Sequence, residues 1–280
     1  MLPVPSNGEE ISLSASQSHW VFVKVEYAAQ TYTNYWKTQN PLLDRLENSN
    51  LGIRIGNITC NVNACVDDIA LMSTKEDDTQ VLINIAHDLR TWKAMSYSPK
   101  KRVALNLCQK LIKENTHECI FNIGNNVMPN VKQALHLGII KTTSMKENVV
   151  MNVDENIKKA RRSAYGYLVV VSMDIRLPET LVHLFKTYIS TVRLYGMELL
   201  LPKTAMLLQP EKFQKRLQKQ LLSLPTSTPD PAVYILSRIL TVEAQIDKRA
   251  LGLFNNICNQ DENSTGKQLA WKQISVMSLD

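Results

Sequence analysis

The sequence predicts an α+β fold: a small antiparallel sheet with packed helices, followed by a mostly α-helical module. Three observations lead there. Two apolar runs, Ala64-Cys65-Val66 and Ile69-Ala70-Leu71, flank an aspartate pair as two strands flank a tight turn. An amphipathic helical pattern follows them at once. From about Val150 onward glycine becomes sparse and helical periodicity dominates.

The elements follow in order. Residues 1–18 are polar, with Pro3, Pro5 and Gly8, and read as a disordered leader. They carry no basic stretch followed by an apolar core, so no secretory signal is expected. His19 to Tyr27 alternates apolar and polar residues and predicts a half-buried strand. A helix is expected up to about Asn50, with Leu42, Leu43 and Leu46 on one face, and Gly52 and Gly56 bracket a short β-branched strand. The acid-bearing hairpin comes next. Ser73 and Glu76 then have capping-box spacing, with Asp77 and Asp78 in the first turn. Leu82, Ile85, Leu89 and Trp92 recur at helical spacing, which predicts one face on a sheet. Val103 to Leu107 and Cys119 to Ile123 suit further strands, and Val131 to Ile140 holds a turn at Gly138.

In the helical part, Pro178 precedes a helix with Leu181, Leu184, Tyr188 and Val192 on one face. Asp230 is expected to cap a helix that has Pro231 at its first position. These signals divide the chain into a leader (1–18), a sheet-bearing domain (19–150), a helical module (151–260) and a polar tail (261–280).

Charge and cysteines narrow the class. The 280 residues carry 32 Lys and Arg against 26 Asp and Glu, a net charge of +6 that favours an anionic partner. The five cysteines form no C-x-x-C pair, so neither a disulfide scaffold nor a zinc ribbon is indicated, and an intracellular protein with reduced thiols is expected. The longest apolar run, Tyr167 to Val171, is too short to cross a bilayer, so no membrane partner is expected. The five histidines lack the spacing of zinc hydrolases, no glycine-rich phosphate loop occurs, and no G-x-S-x-G elbow is present.

The acids at 67 and 68 are the strongest chemical signal. Two carboxylates between buried strands need counter-charge, and divalent cations supply it. Two-metal phosphoryl transfer uses such carboxylates to hold ions about 3.5–4 Å apart. A surface hairpin turn, where Asp is favoured for turn chemistry, is the plainer explanation of the same two residues.

Lys158, Lys159, Arg161 and Arg162 form one basic cluster; Lys212, Lys215, Arg216 and Lys219 form another along one helix face. Both suit contacts to a sugar–phosphate backbone, and both also suit a solvated helix face. The tryptophans are scattered and suggest no platform for stacking bases.

The string CVDDIALMS, residues 65–73, resembles the C-A-D-D-x-A-L catalytic hairpin of reverse transcriptases from non-LTR (LINE-type) retrotransposons. PLLDRLENSNLGIRIGNI resembles the helix and strand leading into that hairpin. SPKKR is similar to the N-P-x-K-S element of the family, and VKQALHLGIIKTTS to its primer-grip hairpin. ARRSAYGYL, VRLYGMELL and LPTSTPDPAVYILSRILTVEAQIDKRALGLFNNI resemble the helical region after the polymerase core. The likeness runs over about residues 40–258 in the family's order.

The resemblance implies a partial polymerase palm sheet followed by a thumb-like module, in an RNA-directed DNA polymerase acting on an RNA template and a DNA primer. It implies Asp67 and Asp68 as ligands of Mg²⁺ or Mn²⁺, Lys101 beside the incoming nucleotide, and His136, Leu137 and Gly138 supporting the primer. Beyond nucleotide and metal it implies no small-molecule cofactor. The sequence also departs from the family. The expected upstream D-x-x-x-A-F-D strand and the fingers are not found in residues 1–40, and KVEYAAQ stands where an R-Q-G stretch is expected. No turnover by this chain alone is therefore expected. The alternatives are a non-catalytic nucleic-acid-binding remnant and an inert helical interaction module.

Overall fold

The computed structural model describes residues 19–26, 41–65, 68–92, 102–108, 120–171 and 178–277. The chain is α+β, with small antiparallel sheets and many helices, and divides into two compact units, 1–144 and 145–280. A helix, α3 (Met145–Val171), opens the second unit and runs through position 150.

In the first unit β1 (His19–Glu26) leads to α1 (41–48), then to a hairpin of β2 (Ile53–Ile55) and β3 (Ile58–Cys60). The acid-bearing hairpin is β4 (Val62–Cys65) and β5 (Asp68–Ser73), followed by α2 (Glu76–Trp92) and β6 (Val103–Cys108). The main sheet has the order β4-β5-β1-β6, antiparallel at every pairing. With the small hairpin set aside, the succession is β-α-β-β-α-β, and the first strand is inserted between β5 and β6.

Strand alternation sorts the side chains. Val23, Leu71 and Ala104 are aligned across three neighbouring strands. With Ile69 they form one apolar face, which buries Leu42 and Leu46 of α1 and Leu82, Ile83 and Ala86 of α2. The buried residues of α2 are Thr79, Leu82, Ile83 and Ala86, and Ile85 packs half-buried beside them; of the predicted stripe, the side chains of Leu89 and Trp92 lie outside the described residues. Ser73 does not act as the expected cap. Its hydroxyl accepts from the Lys75 N–H at 3.1 Å, and the Lys75 carbonyl receives the Thr79 N–H at 3.0 Å.

The opposite face carries Ala70, Leu105, Met72 and Val103, and packs on Ala134 and Val131. Ala134 belongs to a second hairpin, after the short pair β7 (Asn122–Ile123) and β8 (Asn126–Val127): β9 (Gln133–His136) and β10 (Ile139–Thr142). Its two-residue turn has φ of 48° at Leu137 and 77° at Gly138, the doubly positive pattern that matches hairpin twist. The segment is tied to the sheet by the Val131 N–H, which donates to the Ala104 carbonyl at 2.9 Å.

The second unit is helical. α3 buries Val153 and Ile157 in one cluster with Leu194, Met197 and Val242, and Ala160 and Ala164 in another with Phe185, Leu217 and Leu221. After α4 (Pro178–Leu184) the chain makes a π-helical turn, Phe185–Ile189, before α5 (Ser190–Arg193). The buried side chains here are Val182, Phe185, Ile189, Ser190 and Arg193, while Tyr188 is exposed. Val182, Phe185, Ile189 and Arg193 keep helical spacings of three and four, one position round from the expected face, and the offset is already present at Val182, ahead of the π turn.

α6 (Met197–Leu200) and a 3₁₀ turn lead to α7 (Leu208–Leu221), α8 (Asp230–Ser237), α9 (Val242–Cys258) and α10 (Thr265–Met277). The residues expected as a polar tail thus include α10. No helix among the described residues is long and apolar enough to cross a membrane.

Candidate nucleic-acid interface

Two regions contain the residues singled out by sequence. In the first unit, Cys65 pairs with Asp68 across the β4–β5 hairpin, which leaves a two-residue connection at 66 and 67. Asp67 and Lys101 lie outside the described residues. Asp68 is the first residue of β5 rather than part of the turn, and its partner in the neighbouring strand is Glu26 of β1.

Lys24, two residues earlier on β1, reaches Asp68. Its Nζ lies 3.2 Å from Asp68 Oδ1, and the two side chains are only 13% and 18% exposed. The contact is an ion pair by distance, without hydrogen-bond alignment. Alternation along β1 puts Lys24 on the face away from α1 and α2, level with Ala70 in the ladder.

His136 belongs to the same neighbourhood. Its side chain is 6% exposed, and it shares the inward face of β9 with Ala134. Burial lowers its pKa from the ordinary value of 6.5; Asp68 opposes that shift, while Lys141 and Lys24 add to it. Burial likewise lowers the pKa of Lys141. His136 therefore turns toward the acid-bearing strand, and the tip of its hairpin is made by Leu137 and Gly138. Of the three residues expected at the primer, His136 is buried, while Leu137 is 36% exposed and Gly138 is exposed.

A divalent ion at Asp68 would compete with an ammonium already in place. Among the described residues no group of three or more His, Cys, Asp or Glu side chains is arranged to hold a metal.

In the second unit one residue of the first basic cluster meets the second cluster. Arg161 on α3 and Lys212, Lys215, Arg216 and Lys219 on α7 line one groove of about 980 Å³. The reason is helical phase. Ala160 and Ala164 point into the core from α3, and Gln214, Leu217, Gln218 and Leu221 from α7, so spacings of three and four put the cations on the adjoining outer stripes. Lys158, Lys159 and Arg162 do not line the groove; Lys158 and Arg162 are exposed and Lys159 is half-buried.

Asp230 decides which cations remain available. Its carboxylate lies 2.6 Å from Lys215 Nζ and 3.6 Å from Lys219 Nζ. The Lys215 hydrogen bond is the main reason its pKa is lowered. Asp230 is the first residue of α8 and makes no cap, contrary to the sequence expectation. Arg161, Lys212 and Arg216 make no ion pair among the described residues.

Sequence reasoning missed three of these residues. Lys24 could have been found from its place in an alternating strand, where a lysine between valines faces away from the helices. Tyr165, which lines the groove, is four residues from Arg161 and so on the same helix face. The role of Asp230 depends on packing between distant helices and has no local signature. The chain matches no protein-family model and no curated protein.

Proposed function

We propose that the chain is the palm and thumb part of an RNA-directed DNA polymerase of the non-LTR retrotransposon type, and that it binds nucleic acid without extending a primer. The motif order along the sequence supports the lineage. The β-α-β-β-α-β succession, with the acid-bearing hairpin at one side of the sheet and both helices behind it, is compatible with a palm.

The Lys24–Asp68 ion pair carries the non-catalytic half of the reading. Two-metal nucleotidyl transfer needs carboxylate oxygens free for Mg²⁺ or Mn²⁺, because the ions stabilise the attacking and leaving oxygens. Here an internal cation neutralises the acid. Losing one electrostatic stabiliser of a transition state costs about 10²–10³ in rate. The binding half rests on the groove, where three cations make no ion pair among the described residues.

A primer-extension assay with Mg²⁺ or Mn²⁺ tests catalysis. No incorporation is expected; incorporation that disappears in Asp67→Ala would overturn the non-catalytic reading. Filter binding across a salt titration tests the interface. Affinity is expected to fall linearly with the logarithm of salt concentration.

A second reading, a nucleic-acid-binding module with no polymerase ancestry, is favoured by the groove alone. It predicts the same salt dependence, with no loss of binding when Asp68 and the hairpin are altered.

A further inference from the structure

The groove between α3 and α7 combines an aromatic side chain with unneutralised cations. Tyr165 is 72% exposed and lines it. Arg161 lies one helical turn before Tyr165, and Lys212 and Arg216 line the groove from α7. A tyrosine so exposed on a 27-residue helix contributes little to folding, since apolar surface left in water gives no burial energy. The next residue is Gly166, and a Cβ built there meets nothing within 4 Å.

The available charge is at the aromatic position. Lys215 and Lys219 are drawn to Asp230, whereas Arg161, Lys212 and Arg216 are not engaged in any ion pair among the described residues. A double helix stacks its bases on one another and hides their faces, so an aromatic side chain can stack only on an unpaired base. Cations alone do not make that distinction, because both strand forms carry phosphates.

We infer that this groove binds single-stranded nucleic acid in preference to duplex, with a base stacked on Tyr165 and the neighbouring phosphates held by Arg161, Lys212 and Arg216. The inference rests on the nucleic-acid-binding reading above and narrows it from backbone contact to strand form. Stacking also makes the site tolerant of sequence, because every base has a π face.

The test is fluorescence anisotropy of the full chain with three labelled probes: an oligothymidylate, a duplex of equal length, and an oligothymidylate with abasic positions. Tyr165→Ala is expected to weaken oligothymidylate binding roughly tenfold, the scale of one base–aromatic stack, and to leave the salt slope unchanged. Binding of the duplex and of the abasic strand should not change, and Tyr165→Phe should bind as the parent does. Arg216→Ala should instead lower the salt slope by about 0.7 on the single strand. If Tyr165→Ala weakens all three probes equally, or none of them, the strand-form inference fails and the binding reading survives. If the parent chain binds none of the probes in a salt-dependent way, both fail.

Discussion

Lys24 Nζ lies 3.2 Å from Asp68 Oδ1 across the β1–β5 ladder, with both side chains largely buried. Such a pair offsets the desolvation of each charge, and removing one partner strands the other. Lys24→Met is therefore expected to cost about 1–3 kcal/mol, the usual penalty of a buried group left without its partner. Asp68→Asn in the Lys24→Met background should recover part of that loss. Urea unfolding of the two single variants and the double variant measures the coupling. A strictly additive cycle would contradict the ion pair.

The same neighbourhood predicts a pH effect. Burial lowers the folded-state pKa of His136 below its ordinary 6.5, against the opposing pull of Asp68. The unfolded chain therefore takes up a proton at higher pH than the folded chain. The contribution of His136 to stability is fully present above about pH 6.5, and it declines as pH falls from there toward the lower folded value. His136→Phe removes this titration. The stability difference between parent and variant should stay flat at neutral pH and shrink as pH falls below about 6.5, read from unfolding midpoints at each pH. A difference that grows on acidification would mean the imidazole is held protonated.

Much of the sheet was legible in the sequence because it is built from local patterns. Alternation in β1, two apolar runs around the acids and the Leu137-Gly138 turn each specify an element from neighbouring residues alone. The pairing of β1 between β5 and β6 is a long-range contact that no local pattern encodes, and with it the meeting of Lys24 and Asp68 was hidden. The helical unit shows the same limit. Both basic clusters were visible as charge runs, but the groove that joins Arg161 to the α7 cations depends on how the two helices pack. At α4 the period held but the phase did not: Val182, Phe185, Ile189 and Arg193 are buried, each one position beyond the expected face, and an arginine carries no apolar signal that marks it as inward.

A buried polar network in the second unit separates the cost of a charge from the cost of its loss. Arg193 is 2% exposed, donates from Nη2 to Gln214 Oε1 at 2.6 Å, and lies over the Phe185 ring at 5.7 Å from its centroid. Burial brings its pKa down to about 10. Gln214 also donates to the Leu240 carbonyl at 2.9 Å and accepts from Gln245 at 2.9 Å. Gln214→Leu takes the acceptor from a buried guanidinium and should cost about 3–5 kcal/mol. Arg193→Met removes the charge, keeps an apolar stem on Phe185, and leaves Gln214 with Gln245 as a donor. It should cost about 1 kcal/mol. Thermal unfolding ranks the two, and the reverse order would refute the network.

The hairpin tip offers a stabilising change. Leu137 is held at φ 48° and Gly138 at 77°, and a left-handed backbone costs an ordinary L-residue about 1–2 kcal/mol. Asn adopts this conformation more readily than Leu, which is why Asn-Gly is favoured in two-residue hairpin turns. Leu137 is 36% exposed, so truncating it gives up only part of its burial. Leu137→Asn is accordingly expected to raise stability by about 0.5–1 kcal/mol. Gly138→Ala, which adds a Cβ where φ is positive, should lower it by about 1 kcal/mol or more. The check is a shift of the urea midpoint at constant slope, upward for the first variant and downward for the second. A downward shift for Leu137→Asn would mean that packing of the leucine side chain outweighs the strain of its backbone.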